Sequence, residues 1–142
     1  MVEKKLQQGL TDDLLREAVE FHGHLGPFLI LGLKAGFIGV SYLGKDYFKV
    51  KAVVATLLNP PRSCFIDGIQ FASGCTVGKG NIEIKKSEGV SVEFTNGEGK
   101  ISLTVREAIL KALDHLSDEQ TGASGEDILK KTDNELFLIN KN

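Results

Sequence analysis

Two histidines, two cysteines and a few carboxylates and amides carry most of the chemistry open to this chain. His22 and His24 flank Gly23 and run directly into Leu25, Gly26 and Pro27. A neutral imidazole is the commonest nitrogen ligand for metals and an acid or base near neutral pH. His22 continues an apolar helical face, so taken alone it reads first as a buried histidine bonded to a backbone carbonyl. His24 lies inside a glycine turn, which can present an imidazole without covering it. Cys64 and Cys75 bracket the stretch holding Asp67 and Gln70. A lone cysteine is more often a small core residue than a ligand or nucleophile. Cys75, however, lies between glycine and threonine with Lys79 close in sequence, a setting that favours a thiolate, and it ranks above Cys64.

The segment Gly74-Cys75-Thr76-Val77-Gly78-Lys79-Gly80-Asn81 looks like a phosphate loop but fails on spacing. Three residues separate Gly74 from Gly78 where the motif needs four, and Gly80 replaces the hydroxyl residue that holds magnesium. Nucleotide hydrolysis is disfavoured. Loop amides with Lys79 are a candidate anion cradle, and a structural glycine loop is an equal reading. Asp67 and Gln70, three positions apart on a proposed helix, can share a face, with a solvated surface as the plain alternative. No serine has a partner pattern from which a hydrolytic triad could be drawn.

The elements that must position these groups can be read from periodicity and punctuation. Thr11 caps a helix whose first turn holds Asp12 and Asp13 and whose apolar side is Leu14, Leu15, Ala18 and Val19. Gly23 and Gly26 break it, and Pro27 opens a second helix, placing both histidines at a helix-to-helix corner. Residues 28–43 are apolar except for Lys34 and Ser41. At this length, with a lysine near the middle, a membrane span is not expected. Gly32, Gly36 and Gly39 instead suggest a helix buried on most sides and approached closely by another backbone. The same pattern suits self-association. Residues 48–58 read as a strand stopped by Pro60 and Pro61, and 63–71 as a short helix ending at Gly74. Runs at 82–85, 90–95 and 101–104 predict a three-strand meander, turned at Gly89 and at Asn96-Gly97. Thr104 and Glu107 have capping-box spacing for a helix that continues through Ala108, Ile109, Ala112, Leu113 and Leu116, with His115 off its stripe. Ser124 begins a shorter helix, and 135–139 a terminal strand.

With 142 residues, a net charge of -2, 42% hydrophobic and 25% charged content, the chain is an ordinary globular one and reads as a single domain over 1–142. Balanced charge gives no general reason to bind nucleic acid or a membrane surface. Two cysteines are too few for a disulfide scaffold, and residues 1–9 lack the apolar core of a secretory signal, so a cytoplasmic location is expected. The irregular alternation of elements predicts an α+β fold: a layered domain with an antiparallel or mixed sheet packed against helices. The second face of that sheet is open to a partner.

Taken together, Phe21-His22-Gly23-His24-Leu25-Gly26-Pro27 and Asp67-Gly68-Ile69-Gln70, followed by the Gly74 to Asn81 segment, resemble the signature of the formylmethanofuran dehydrogenase E-subunit family. The resemblance runs over about residues 11–139. It implies a dimerising α+β core with a pocket where the histidine corner meets the cysteine-glycine loop, associated with a metal such as zinc. Carried over residue by residue, it makes His22, His24, Cys64 and Cys75 candidate ligands, with Asp67, Gln70, Lys79 and Asn81 around them. Mixed imidazole and thiolate donors suit zinc or a related transition metal, with the sulfurs deprotonated. This chain departs from the pattern twice. Gly26 stands where many relatives have a cysteine, so one thiolate is missing. No cysteine follows Cys75, so the chain reads as the core without the zinc finger of larger relatives.

The family is associated with a molybdenum or tungsten enzyme that fixes carbon dioxide as a formyl group on methanofuran, in which its members are not the catalytic component. No ligands for a pterin-bound metal or an iron-sulfur cluster are expected on this chain. The leading expectation is an accessory metal- or small-ligand-binding protein, a homodimer, associated with a larger oxidoreductase complex. One alternative is a small enzyme in which a metal or the Cys75 thiolate acts on a small anionic or carbonyl substrate, with His24 as acid or base. A second is a dimeric interaction protein whose metal site has been lost.

Overall fold

In the computed structural model of this chain, which describes residues 5–7, 9–114 and 121–142, an apolar helix packs between other helices and a sheet. Two short strands, β1 (Lys5–Gln7) and β2 (Leu10–Thr11), pair antiparallel and lead into α1 (Asp12–His22). The Thr11 hydroxyl accepts the Leu14 N–H at 3.1 Å, the expected cap. Gly23, at φ 110°, ends α1 with its N–H on the Val19 carbonyl, a left-handed turn that glycine adopts without strain. The central helix α2 (Pro27–Leu43) starts with Pro27 in its first turn and is buried from Pro27 through Val40.

The glycines of α2 serve contacts within this chain. A Cβ at Gly32 would lie 2.2 Å from the Phe65 carbonyl oxygen, and one at Gly68 would lie 2.5 Å from the Leu29 carbonyl oxygen. Both belong to the crossing of α2 with α3 (Cys64–Ser73), whose backbones touch because neither helix has a side chain at the crossing. The expected close approach is therefore made by a helix of the same chain. Lys34, 2% exposed, donates to the Leu129 and Lys131 carbonyls at 2.8 and 2.9 Å, at the C-terminal end of α5 (Thr121–Lys130). Those are carbonyls a helix end leaves without intrahelical partners. Burial pulls the Lys34 pKa down to about 8 against the opposing pull of Asp133 and Glu135. Among the described residues no helix is long and apolar enough to cross a membrane.

The other layer is a five-stranded sheet in the order β4-β3-β5-β6-β7, formed by β3 (Lys51–Thr56), β4 (Ile82–Lys86), β5 (Ser91–Thr95), β6 (Lys100–Val105) and β7 (Phe137–Lys141). Alternation sends Ala52, Val54, Val92, Phe94, Ile101, Leu103 and Val105 into the core. The opposite face carries Lys51, Glu93, Lys100 and Thr104. The fold is α+β with a mixed sheet, as the sequence predicts. The meander is not formed: β4 pairs with β3 in parallel, and β3 lies between β4 and β5. A parallel pair needs a crossover, and α3 supplies it.

A second difference concerns Thr104. It lies inside β6, paired with Ser91 on one side and Leu138 on the other, and α4 (Glu107–Asp114) begins after Arg106, whose carbonyl accepts the N–H groups of Ile109 and Leu110. A capping box exists instead at a later Thr-x-x-Glu of the chain. The Thr132 hydroxyl accepts the Glu135 N–H at 3.3 Å, and the Glu135 carboxylate accepts the Thr132 N–H at 2.9 Å, opening α6 (Asp133–Leu136) just before β7. The strand expected over 135–139 thus starts later, behind this turn. His115 and Leu116 lie outside the described residues.

Candidate metal centre

Three elements deliver the histidines and one cysteine to the same place. His22 is the last residue of α1, His24 follows the Gly23 turn, and Cys64 is the first residue of α3. The α2–α3 crossing at Gly32 and Gly68 brings the start of α3 alongside the first turns of α2, and so to the corner between α1 and α2. One ligand-type atom from each of His22, His24 and Cys64 lies within 4.8 Å of the others. The two imidazole centroids are 4.6 Å apart with ring planes tilted by 39°.

His22 is oriented by Asp67, one turn into α3 from Cys64. Its Nδ1 is 2.6 Å from the Asp67 Oδ2. An ionised carboxylate can only accept, so in this contact Nδ1–H is the donor, and Nε2 on the other side of the ring is the nitrogen left to offer a lone pair. That Nε2 is buried and has no hydrogen-bond partner. Buried polar atoms are almost always paired, so an orphaned imidazole nitrogen next to a second imidazole and a thiol is a specific signal. A carboxylate holding one ring nitrogen while the other faces a ligand position is the arrangement of metal-bound histidines. The residues thus fit a zinc-class ion: two nitrogens and one sulfur, each able to offer a lone pair. Cys64 is half-buried, and burial together with the Asp67 charge pushes its pKa up in the absence of a cation. An ion at this point opposes both effects.

The structure does not bring Cys75 to this group. It is fully buried, its thiol lies 3.5 Å from the Val50 carbonyl oxygen, and its N–H donates to the Ser73 hydroxyl at 3.0 Å. The exposed setting inferred from its neighbouring glycines is absent, and burial raises its pKa despite the opposing pull of Lys79. Cys64 and not Cys75 lies beside the two histidines. Around Cys75 the loop is tied by its own polar groups. The Asn81 Oδ1 accepts the Thr76 N–H at 2.8 Å, the Gln70 Oε1 accepts the Val77 N–H at 3.1 Å, and Gly80 donates to the Thr76 and Val77 carbonyls. Asn81 also donates to the carbonyls of Tyr47 and Val50, and the Lys79 ammonium donates to the Thr76 hydroxyl at 3.1 Å. Amides that an anion would need are engaged within the loop. Of the residues expected around the ligands, Asp67 reaches the histidine corner directly, while Gln70, Lys79 and Asn81 organise the loop. Nothing in sequence spacing could have paired Asp67 with His22, which lie 45 residues apart.

Compared with known proteins, residues 21–137 match the family described as FmdE, molybdenum formylmethanofuran dehydrogenase operon. A curated relative, the probable S-adenosyl-L-methionine-binding protein of Archaeoglobus fulgidus, is 38% identical over 78 residues, 54% of this chain and 21% of the relative. The chain spans about a fifth of that protein's length. The fold is similar to the crystal structure of a tungsten formylmethanofuran dehydrogenase FmdE-like protein from Syntrophus aciditrophicus. The TM-score is 0.71 at 14% identity, covering 100% of this chain and 77% of that one. Because the matched span runs from the histidine corner through α3 and the glycine loop to the start of β7, the chain belongs to the FmdE family.

Proposed function

We propose that this chain is an accessory, metal-binding member of its family, holding a zinc-class transition ion at His22, His24 and Cys64, and does not itself carry out redox catalysis. The observation that carries the reading is the buried, unpartnered Nε2 of His22, aimed away from the Asp67 carboxylate that fixes its ring. A bound ion of this class supplies Lewis acidity. The protein's own residues do the rest. Asp67 keeps the His22 proton on Nδ1, Gly23 turns the chain so that His24 follows at once, and the α2–α3 crossing sets the Cys64 sulfur opposite both rings. Membership of the FmdE family supports an accessory role beside a larger oxidoreductase complex. The homodimer and the cytoplasmic location expected from the sequence belong to the same proposal. S-adenosylmethionine binding is a description of a much longer relative and forms no part of it.

Elemental analysis of untagged protein, purified under reducing, metal-replete conditions, tests the reading. It predicts stoichiometric metal in the native chain and its loss in both His24→Ala and Cys64→Ser. No metal in the native chain, or full retention in both variants, would remove the proposal.

A further inference from the structure

At the edge strand the sheet and the central helix separate. In β7 the residues paired with the buried Leu103 and Ile101 are Ile139 and Lys141, and cross-strand partners share a face, so both stand on the inner side with Phe137. Phe137 is buried, Ile139 half-buried and Lys141 exposed, so the layer opens toward the end of the strand. On the other wall, Ile38, Ser41 and Tyr42 come from the last turns of α2, at the i, i+3 and i+4 spacing that shares a helix face. The cavity between these walls has a volume of about 400 Å³, and Asp133 of α6 lines it as well. It lies at the C-terminal end of α2, whereas the histidine corner precedes the N-terminal end of the same helix.

Two opposite charges line this cavity without meeting. Thr132 and Glu135 complete the capping box of α6 between themselves, so the Asp133 carboxylate has no part in it. The Asp133 Oδ1 is buried and has no hydrogen-bond partner among the described residues. The Lys34 ammonium feels the Asp133 charge, but it donates to the Leu129 and Lys131 carbonyls. The Lys141 ammonium is held 5.2 Å over the centroid of the Tyr42 ring, a favourable seat for a cation at the wall of the cavity. No ion pair joins it to Asp133 among the described residues. A carboxylate and an ammonium on the walls of one cavity, with Ile38 and Ile139 beside them, are complementary to a ligand that carries both charges and an apolar group.

We propose that this cavity is a second binding site, for a small zwitterion with an apolar tail, the class of a free aliphatic amino acid. Asp133 takes the ammonium of the ligand, Lys141 its carboxylate, and Ile38 and Ile139 its tail. The inference does not rest on the metal-binding reading above. Its test is calorimetric titration of the whole chain with L-leucine, beside isopentylamine, which lacks the carboxylate, and isocaproate, which lacks the ammonium. Leucine should bind saturably and each analogue about tenfold or more weakly, because each forfeits one charged hydrogen bond. Asp133→Asn should weaken leucine and isopentylamine and leave isocaproate unchanged. Lys141→Gln should weaken leucine and isocaproate and leave isopentylamine unchanged. The analogues read both charges on native protein, so the result does not depend on either variant folding. Absence of saturable leucine binding up to about 10 mM overturns the site. An analogue that binds as tightly as leucine overturns the ligand class, and leucine affinity unmoved in both variants overturns the assignment to this cavity. Protein dialysed against EDTA should bind leucine as before. Loss of binding there would move the ligand to the metal centre and overturn this site while leaving that centre standing.

Discussion

The two cysteine regions of this protein have exchanged the roles their surroundings suggest. Cys75 is flanked by glycines and a lysine, and would be expected to be accessible and acidic, yet its thiol rests on the Val50 carbonyl in the core. Cys64 follows Pro60, Pro61 and Arg62 in an approach with no reactive signal, yet it opens α3 beside two imidazoles. Glycines in a loop announce unusual backbone, and that backbone can satisfy itself. Here Asn81, Gln70 and Ser73 take up the loop amides, whereas at the corner a buried nitrogen of His22 is left over. An unsatisfied buried group marks a ligand position better than a reactive-looking sequence does.

The sharpest way to break this contrast is to exchange each sulfur in turn. Cys64→Ser should lower metal affinity more than about 100-fold, beyond the usual effect of removing an outer partner, measured by competition with a chromophoric chelator. Cys75→Ser should leave that affinity unchanged and instead destabilise the fold by about 1–3 kcal/mol in urea unfolding, since it places a hydroxyl in the core. The reverse pattern would return Cys75 to the ligand set. Next in size, Gly68→Ala puts a methyl group 2.5 Å from the Leu29 carbonyl oxygen and forces α2 and α3 apart. A loss of about 2–3 kcal/mol is expected, with weakened metal binding because Cys64 moves with α3. Unchanged affinity would mean that the crossing does not position the cysteine.

Asp67→Asn should reduce metal affinity about 10- to 100-fold with little change in stability, separating orientation of His22 from packing. A subtler effect comes from Lys34, which holds the C-terminal end of α5, the helix that packs beside Gly26. Its pKa in the folded chain, about 8, lies below the ordinary 10.5, so between these values the unfolded chain binds more protons. Its contribution to stability therefore rises with pH from 8 to 10.5 and is lost as pH falls through 8. Lys34→Met should flatten that part of the pH profile of the urea midpoint relative to native protein. Smallest is the contrast between the Thr-x-x-Glu sequences at Thr132 and Thr104: Thr132→Ala should cost about 1 kcal/mol and Thr104→Ala under about 0.5 kcal/mol. Equal losses would contradict the assignment of the cap to Thr132 alone.

Local rules therefore succeeded where no long-range competitor existed. Thr11 caps α1, Pro27 starts α2, and the alternation in β3, β5 and β6 fixes which residues enter the core. Thr104 shows the opposite case, where ladder bonds to Ser91 and Leu138 outweigh a capping signal identical to the one that works at Thr132. Strand order was illegible for a similar reason. A short turn after 82–86 suggests a hairpin with β5, but β3 takes that position, parallel to β4 across the α3 crossover.

By itself the sequence determined the α+β class, the buried central helix, the family, and a short roll of residues from which any centre must be drawn. These follow from periodicity, glycine and proline placement, and short motifs, each written within a few neighbouring residues. Tertiary structure alone decided that Cys64 joins the histidines, that Asp67 orients His22, and that Cys75 packs inside. Those outcomes depend on where two helices cross. That crossing is set by the absence of side chains at Gly32 and Gly68, 36 residues apart in the chain and in contact in the fold.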